Sequence, residues 1–289
     1  MIVRTLAEFI MRGRIQAVTV AMVSAGLPLI PHGTIGVVTL RKGWQEGLLV
    51  LMWALLPALA GIWISNAGKG LVFGTVAVLV VTYLAALVLR TTMSWVATLF
   101  SLVLLSVAST LLVVLLAGDL ADEMAAVLRR FLTHPDQTPS PVLEEWLQQW
   151  NIVLASGFIA VLVGFGTLGG LLVARWWQAI LYNPGGFQKE FHTLRLNSAL
   201  AFLCIVASGY CLVGGAQYQW WLNLFLLPPL VAGLGIVHCA IAKYRLGLGS
   251  VIALYIFLFI VSPLLLVLAM VGLTDVWLNY RKRFNLLQP

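Results

Sequence analysis

A chain of 289 residues that is 61% hydrophobic and 9% charged, with a mean hydropathy of +1.01, lies outside the soluble-domain range of roughly 45–50% apolar and about 25% charged. Its formal net charge of +7 comes from bases scattered in twos and threes beside apolar runs, as the positive-inside rule requires. Nucleic acid is therefore excluded as a partner and the lipid bilayer takes its place. The composition predicts an all-α class: a polytopic transmembrane helical bundle forming a single integral membrane domain over residues 1–289.

The chain opens on Arg4, Arg12 and Arg14, followed by an apolar run over 15–40. This looks like a signal sequence, but no small-residue cleavage site follows and Pro28 and Pro31 interrupt it, so the segment is read as uncleaved. Apolar runs follow at 47–68, 70–89, 91–118 and 146–174, and a run at 196–242 is long enough for two helices. The shortest of these reach the ~20 residues that a ~30 Å hydrocarbon core demands. A last run at 246–274 contains Pro263. In both terminal runs a proline costs a helix hydrogen bond, which leaves a short hairpin and one tilted helix as alternatives. Six central crossings and the two terminal runs give an expectation of eight to ten spans.

Alternating those crossings places Arg41, Lys42, Arg90, Arg175, Lys189, Arg195, Lys243 and Arg245 at one face, opposed there by Glu46 and Glu190. The other face receives Lys69, Arg129 and Arg130 with Asp119, Asp122, Glu123, Asp136, Glu144 and Glu145. The arginine and lysine bias predicts that the first face is cytoplasmic, with both termini on it, in a bacterial inner (cytoplasmic) membrane.

The acidic stretch forms an extracytoplasmic insertion, 119–150. In it Leu120, Met124, Val127, Leu128 and Phe131 recur at helical spacing, with acids leading and Arg129 and Arg130 trailing, which suits a dipole-matched amphipathic helix. A turn containing His134, Pro135 and Pro139 leads to a second short helix from Pro141, and Trp146 and Trp150 then enter the interface.

Polar groups inside the runs are few. Ser101, Ser106, Ser109 and Thr110 make a streak in one span, suited to lining a cavity or to bonding back onto their own helix. His238 lies near the cytoplasmic end of its span, and with Ser106, Ser109 and Thr110 it makes up a candidate intramembrane polar site; a neutral imidazole bonded to a neighbouring helix is the plainer reading. Gly166 and Gly170 form a small-x-x-x-small pair that predicts close helix packing. Cys204, Cys211 and Cys239 lack metal-ligand spacing and read as apolar packing residues. No His-Glu-x-x-His, nucleophile–base pair or carboxylate cluster is present, so the expectation is no enzyme, no catalytic residue, no metal and no cofactor.

The cytoplasmic loop 176–195 is the least generic stretch. Asn183-Pro184-Gly185-Gly186 is a tight turn, after which Phe187, Phe191 and Leu194 share one helical face opposite Lys189 and Glu190. That stripe either enters the inner leaflet or docks a cytoplasmic or membrane protein partner.

Three motifs carry a family resemblance: Arg41-Lys42-Gly43-Trp44-Gln45-Glu46-Gly47, Tyr182-Asn183-Pro184-Gly185-Gly186-Phe187 with Glu190, His192 and Arg195, and Gly272-Leu273-Thr274-Asp275-Val276-Trp277-Leu278 before Arg281. With these the chain resembles the YybS-like family of uncharacterised bacterial integral membrane proteins over nearly its whole length. That group is distantly similar to the substrate-binding S-components of energy-coupling-factor vitamin transporters and to small rod-shape membrane subunits, from which this chain departs in length and in its acidic insertion. The resemblance implies a transport-related protein, a solute-binding subunit; the alternative is a non-transporting scaffold of a cell-envelope assembly.

Overall fold

The structure is a computed structural model that describes residues 2–64, 68–133, 140–261 and 263–284. Among them every regular element is helical. The chain begins with α1 (Ile2–Arg12), α2 (Arg14–Val23) and α3 (Ile30–Lys42), continues through the long helices α4 (Trp44–Ile64), α5 (Lys69–Thr92) and α6 (Trp95–Ala117), and crosses the insertion as α7 (Leu120–Leu132) and α8 (Pro141–Gln148). Then come α9 (Ile152–Tyr182), α10 (Gly186–Thr193), α11 (Ser198–Val213), α12 (Gln219–Phe225), α13 (Leu227–Lys243), α14 (Gly247–Ile260), α15 (Pro263–Leu278) and α16 (Tyr280–Arg283). Starts are set by capping: the side chains of Ser94, Ser140, Asn151 and Asn197 accept from the amides of Ala97, Leu143, Leu154 and Leu200.

Four helices, α4, α5, α6 and α9, are long and apolar enough to cross a membrane, and up to seven spans result if each bent pair counts as one. The chain is thus a multi-pass helical membrane protein, and the described residues support four to seven of the eight to ten spans expected. The terminal runs account for the difference, because each is broken into short legs. Residues 15–40 fold into α2 and α3, of 10 and 13 residues, or about 15 and 20 Å. Arg14 at the start of α2 bonds Glu46 beyond the end of α3 at 2.5 Å, so this hairpin enters and leaves at the same end of the bundle. Its second leg is enclosed, with Pro31 and the residues from Gly33 to Leu40 buried, while residues 25–29 of the turn before it are exposed. At the other terminus α14 and α15 meet at 116° around Pro263.

Contacts sort the helix ends into two sets. At the basic end Arg90 donates to the carbonyl of Leu40 at 2.5 Å, Tyr83 donates to that of Trp44 at 3.1 Å, and the Arg41 guanidinium lies 4.1 Å over the Tyr182 ring. At the opposite end the Gly70 amide donates to Glu123 at 2.8 Å and the Trp221 indole donates to the carbonyl of Val153 at 3.0 Å. α7 therefore lies against the start of α5, burying Leu120 and Met124 against Ala77, Val113 and Ile159. Phe131, expected on that apolar face, is 86% exposed. Arg129 clamps Glu144 at 2.7 and 3.0 Å and joins α7 to α8. His134, Pro135, Asp136 and Pro139 lie outside the described residues.

Candidate functional site

The 31-residue α9, about 47 Å long, serves as a ruler for the interior. A Cβ at Gly169 would come within 2.6 Å of Leu29, and one at Gly170 within 2.5 Å of His32, so the tip of the first hairpin rests there. A Cβ at Gly164 would lie 2.5 Å from Leu224 and 3.5 Å from Leu227, residues that flank the 51° bend between α12 and α13. The first turns of α15 reach the same level, since Leu265, Leu266 and Ala269 share a groove with Val161 and Phe165 of α9. All three breaks therefore face residues 161–170, about 14 Å of helix.

Each break has a covalent cause. Pro228 and Pro229 bring no N–H to the carbonyls of Leu224 and Phe225, Pro263 brings none to Phe259, and Pro28 and Pro31 bracket the first tip. The groove where α9, α12, α13 and α15 meet has a volume of about 420 Å³. Its walls are leucine, valine, phenylalanine and alanine side chains, joined by Trp220 and Asn223, and no charged residue among those described lines it. The Trp220 indole N–H is buried without a hydrogen-bond partner. A second apolar groove, of about 670 Å³, runs between the starts of α6 and α11, with Phe100 and Phe202 in its walls and Ser94 and Asn197 lining it as well.

The sequence-predicted polar site is not assembled. Ser106 and Thr110 are fully buried with no hydrogen-bond partner, whereas Ser101 and Ser109 donate back to the carbonyls of Thr98 and Ser106. A Cβ at Gly164 would lie 3.6 Å from Ser106 Oγ, which places that hydroxyl beside Leu224. His238 is eleven residues beyond Leu227 along α13, about 16 Å away from this level. Its Nε2 lies 3.0 Å from the Tyr255 hydroxyl of α14, and its ring packs edge-on to Phe191 at 5.4 Å. His32, which the motifs gave no reason to select, holds both ring nitrogens buried and unpartnered at the hairpin tip.

Gly166 and Gly170 both face neighbouring helices, Val78 of α5 and His32 of α3. The stripe on α10 turns inward: Phe187 lies 6.2 Å from Trp95, Phe191 contacts His238, and Leu194 is 5% exposed. The bundle itself engages all three side chains. A partner at this loop would meet the exposed Gln188 and Lys189 instead. Glu190 fixes the loop by accepting from Arg175 at 2.5 and 2.9 Å and from the Trp95 indole at 3.2 Å.

A second lock holds the other end of the loop. Arg281, 3% exposed, pairs with the fully buried Asp275 and donates to the carbonyls of His192 and Leu194, each at 2.6 Å. Burial pulls the Arg281 guanidinium below its ordinary pKa, opposed by the adjacent carboxylate of Asp275. Arg195 donates to the carbonyls of Asp275 and Val276 at 3.1 and 2.7 Å. The ionic groups at this end thus tie α10 to α13 and α15, and among the described residues no acid–base pair lines either groove.

Comparison with protein-family models, characterised proteins and solved structures returned no match. The groove residues Trp220 and Asn223 were not singled out from the sequence. The available signal was the Pro228-Pro229 pair just beyond one amide-bearing residue in an apolar run, the mark of a discontinuous membrane helix.

Proposed function

We propose that this chain is a transport-related protein of the bacterial cytoplasmic membrane, and that the groove between α9, α12, α13 and α15 holds its solute. The observation that carries this reading is the arrival of three helix breaks at one level of α9. A broken helix gives up main-chain hydrogen bonds where water cannot replace them, and such breaks are typical of transporters, at the midplane binding site. A passive scaffold has no need of them. The path is six crossings, formed by α4, α5, α6, α9, α11 and the bent α12–α13 pair, with a re-entrant hairpin at each terminus. Lysine and arginine bias puts the basic end in the cytoplasm and the insertion 119–150 outside.

The scaffold reading draws on a different observation. Leu258 is the one buried residue of α14, whose apolar surface the chain's own helices leave uncovered. Native mass spectrometry of the protein in mild detergent decides between the two. A bound small molecule in the wild type, lost when Ala269→Trp fills the groove, supports solute binding. A wild type that retains protein partners and no small molecule supports the scaffold and removes the groove's role.

A further inference from the structure

The groove described above is unusual in what its polar groups lack. Asn223, exposed in the first turns of α12, makes no side-chain hydrogen bond with the described residues. Trp220, three residues earlier and so on the same helical face, keeps its buried indole N–H without an acceptor. Around them the surface is hydrocarbon: Phe165, Leu226, Leu230 and Leu266. The exposed Asn223 amide is open to an occupant, whereas the Trp220 N–H is covered by protein and only its ring joins the wall. A purely apolar occupant would leave that amide without a partner.

Charge sets the other limit. Among the described residues no acidic, basic or histidine side chain lines the groove, so a charged group there would be unpaired. Access is lateral, since Leu265 and Leu266 of the α15 wall are 39% and 52% exposed on the outside of the bundle. We infer that the occupant of this groove is an uncharged amphiphile, an apolar body with a single hydroxyl, carbonyl or amide group, which enters from the lipid and presents that group to Asn223. The inference rests on the reading of the groove as the solute site and names the class of that solute. The volume of about 420 Å³ lies within the range of pockets that enclose small organic ligands.

The test is photolabelling of the whole protein in lipid nanodiscs with three probes that share one diazirine-bearing sixteen-carbon chain, ending in a hydroxyl, a carboxylate or a methyl group. The alcohol should label peptides of α12, α13 and α15 at least about five-fold more than either of the others, in line with one hydrogen-bonded head group. Asn223→Leu should lower labelling by the alcohol at least about three-fold while labelling by the methyl probe and the thermal unfolding temperature stay unchanged. Equal labelling by all three probes, preference for the carboxylate, or indifference to Asn223→Leu overturns the inference. In those cases a bound mass that Ala269→Trp still removes would leave the solute site standing with another class of solute. No labelling of these peptides by any probe, together with no bound mass, removes both.

Discussion

The guanidinium of Arg281 closes back on the carboxylate of Asp275, six residues earlier, and spends its other N–H groups on the main-chain oxygens of His192, Leu194 and Ala232. One side chain therefore joins the C-terminal turn, the end of α15, the exit of α10 and the middle of α13. The Asp275 carboxylate also accepts from the Tyr280 amide at 2.8 Å, which shapes the turn that returns Arg281 to it. A close backbone crossing makes the arrangement possible: a Cβ at Gly235 would lie 2.6 Å from the Phe191 carbonyl.

Arg281→Met should cost about 3–5 kcal/mol of stability, because it leaves the buried Asp275 carboxylate with only the Tyr280 amide and the Arg195 guanidinium 3.8 Å away, and frees three carbonyls at once. Asp275→Asn should cost less, since an amide oxygen still accepts from Tyr280 and Arg281 keeps its carbonyl bonds. Thermal unfolding in detergent measures both. Equal losses would mean that the carbonyl contacts contribute little and that the ion pair alone holds the turn.

Glycine substitutions should rank by what the added methyl meets. A Cβ at Gly166 would come 2.8 Å from a methyl of Val78, a side-chain contact alone, whereas one at Gly170 would meet His32 at 2.5 Å with main chain 3.3 Å away. At Gly233 and Gly272 it would overlap the carbonyls of Leu268 and Pro229, so α13 and α15 would have to separate. Gly272→Ala and Gly233→Ala should therefore lose the most, Gly170→Ala an intermediate amount and Gly166→Ala the least, over a range of about 1–3 kcal/mol. Unfolding temperatures in one detergent give the order. A loss at Gly166 equal to that at Gly272 would contradict the packing.

The same contrast shows what was legible in the sequence. Gly166 and Gly170 announce themselves because both lie on one helix at a four-residue spacing. Gly233 and Gly272 stand on different helices, and only the fold opposes them. The prolines at 28, 31 and 263 marked where the terminal runs break, but the evidence that the first run returns to its starting end is the Arg14–Glu46 pair, which spans 32 residues of sequence. On α10 the periodicity of Phe187, Phe191 and Leu194 located a stripe without its direction, since Trp95 and His238, which receive Phe187 and Phe191, come from α6 and α13. Asp275 stood in the sequence only as a member of one family motif; its burial depends on three elements meeting it.

Both termini should label from the same side as the α10 loop. Arg12→Cys, Gln188→Cys and Lys282→Cys place thiols at exposed positions of the basic end, and Gln148→Cys places one at the opposite end, while the native Cys204, Cys211 and Cys239 are buried. In intact spheroplasts an impermeant maleimide should react with the Gln148→Cys protein and with none of the other three. Reaction at Arg12→Cys or Lys282→Cys would turn the corresponding hairpin into a full crossing.

The last expectation concerns the two hydroxyls that sequence reading placed in a polar site. Ser106 is buried beside Gly164 and the α12–α13 bend, and Thr110 is buried four residues further along α6, yet neither finds an acceptor. A hydroxyl desolvated without a partner is a cost, so its removal should be neutral or favourable where the space stays filled. Thr110→Val keeps the shape and Ser106→Ala loses one oxygen, and together they should leave the unfolding temperature unchanged or raise it, by up to about 1–3 kcal/mol of stability. A clear loss in the double variant would show that the hydroxyls hold a water molecule or a ligand at the bend. The polar site would then extend from the groove at Asn223 through the bundle to α6, and the solute would need polar groups on both sides.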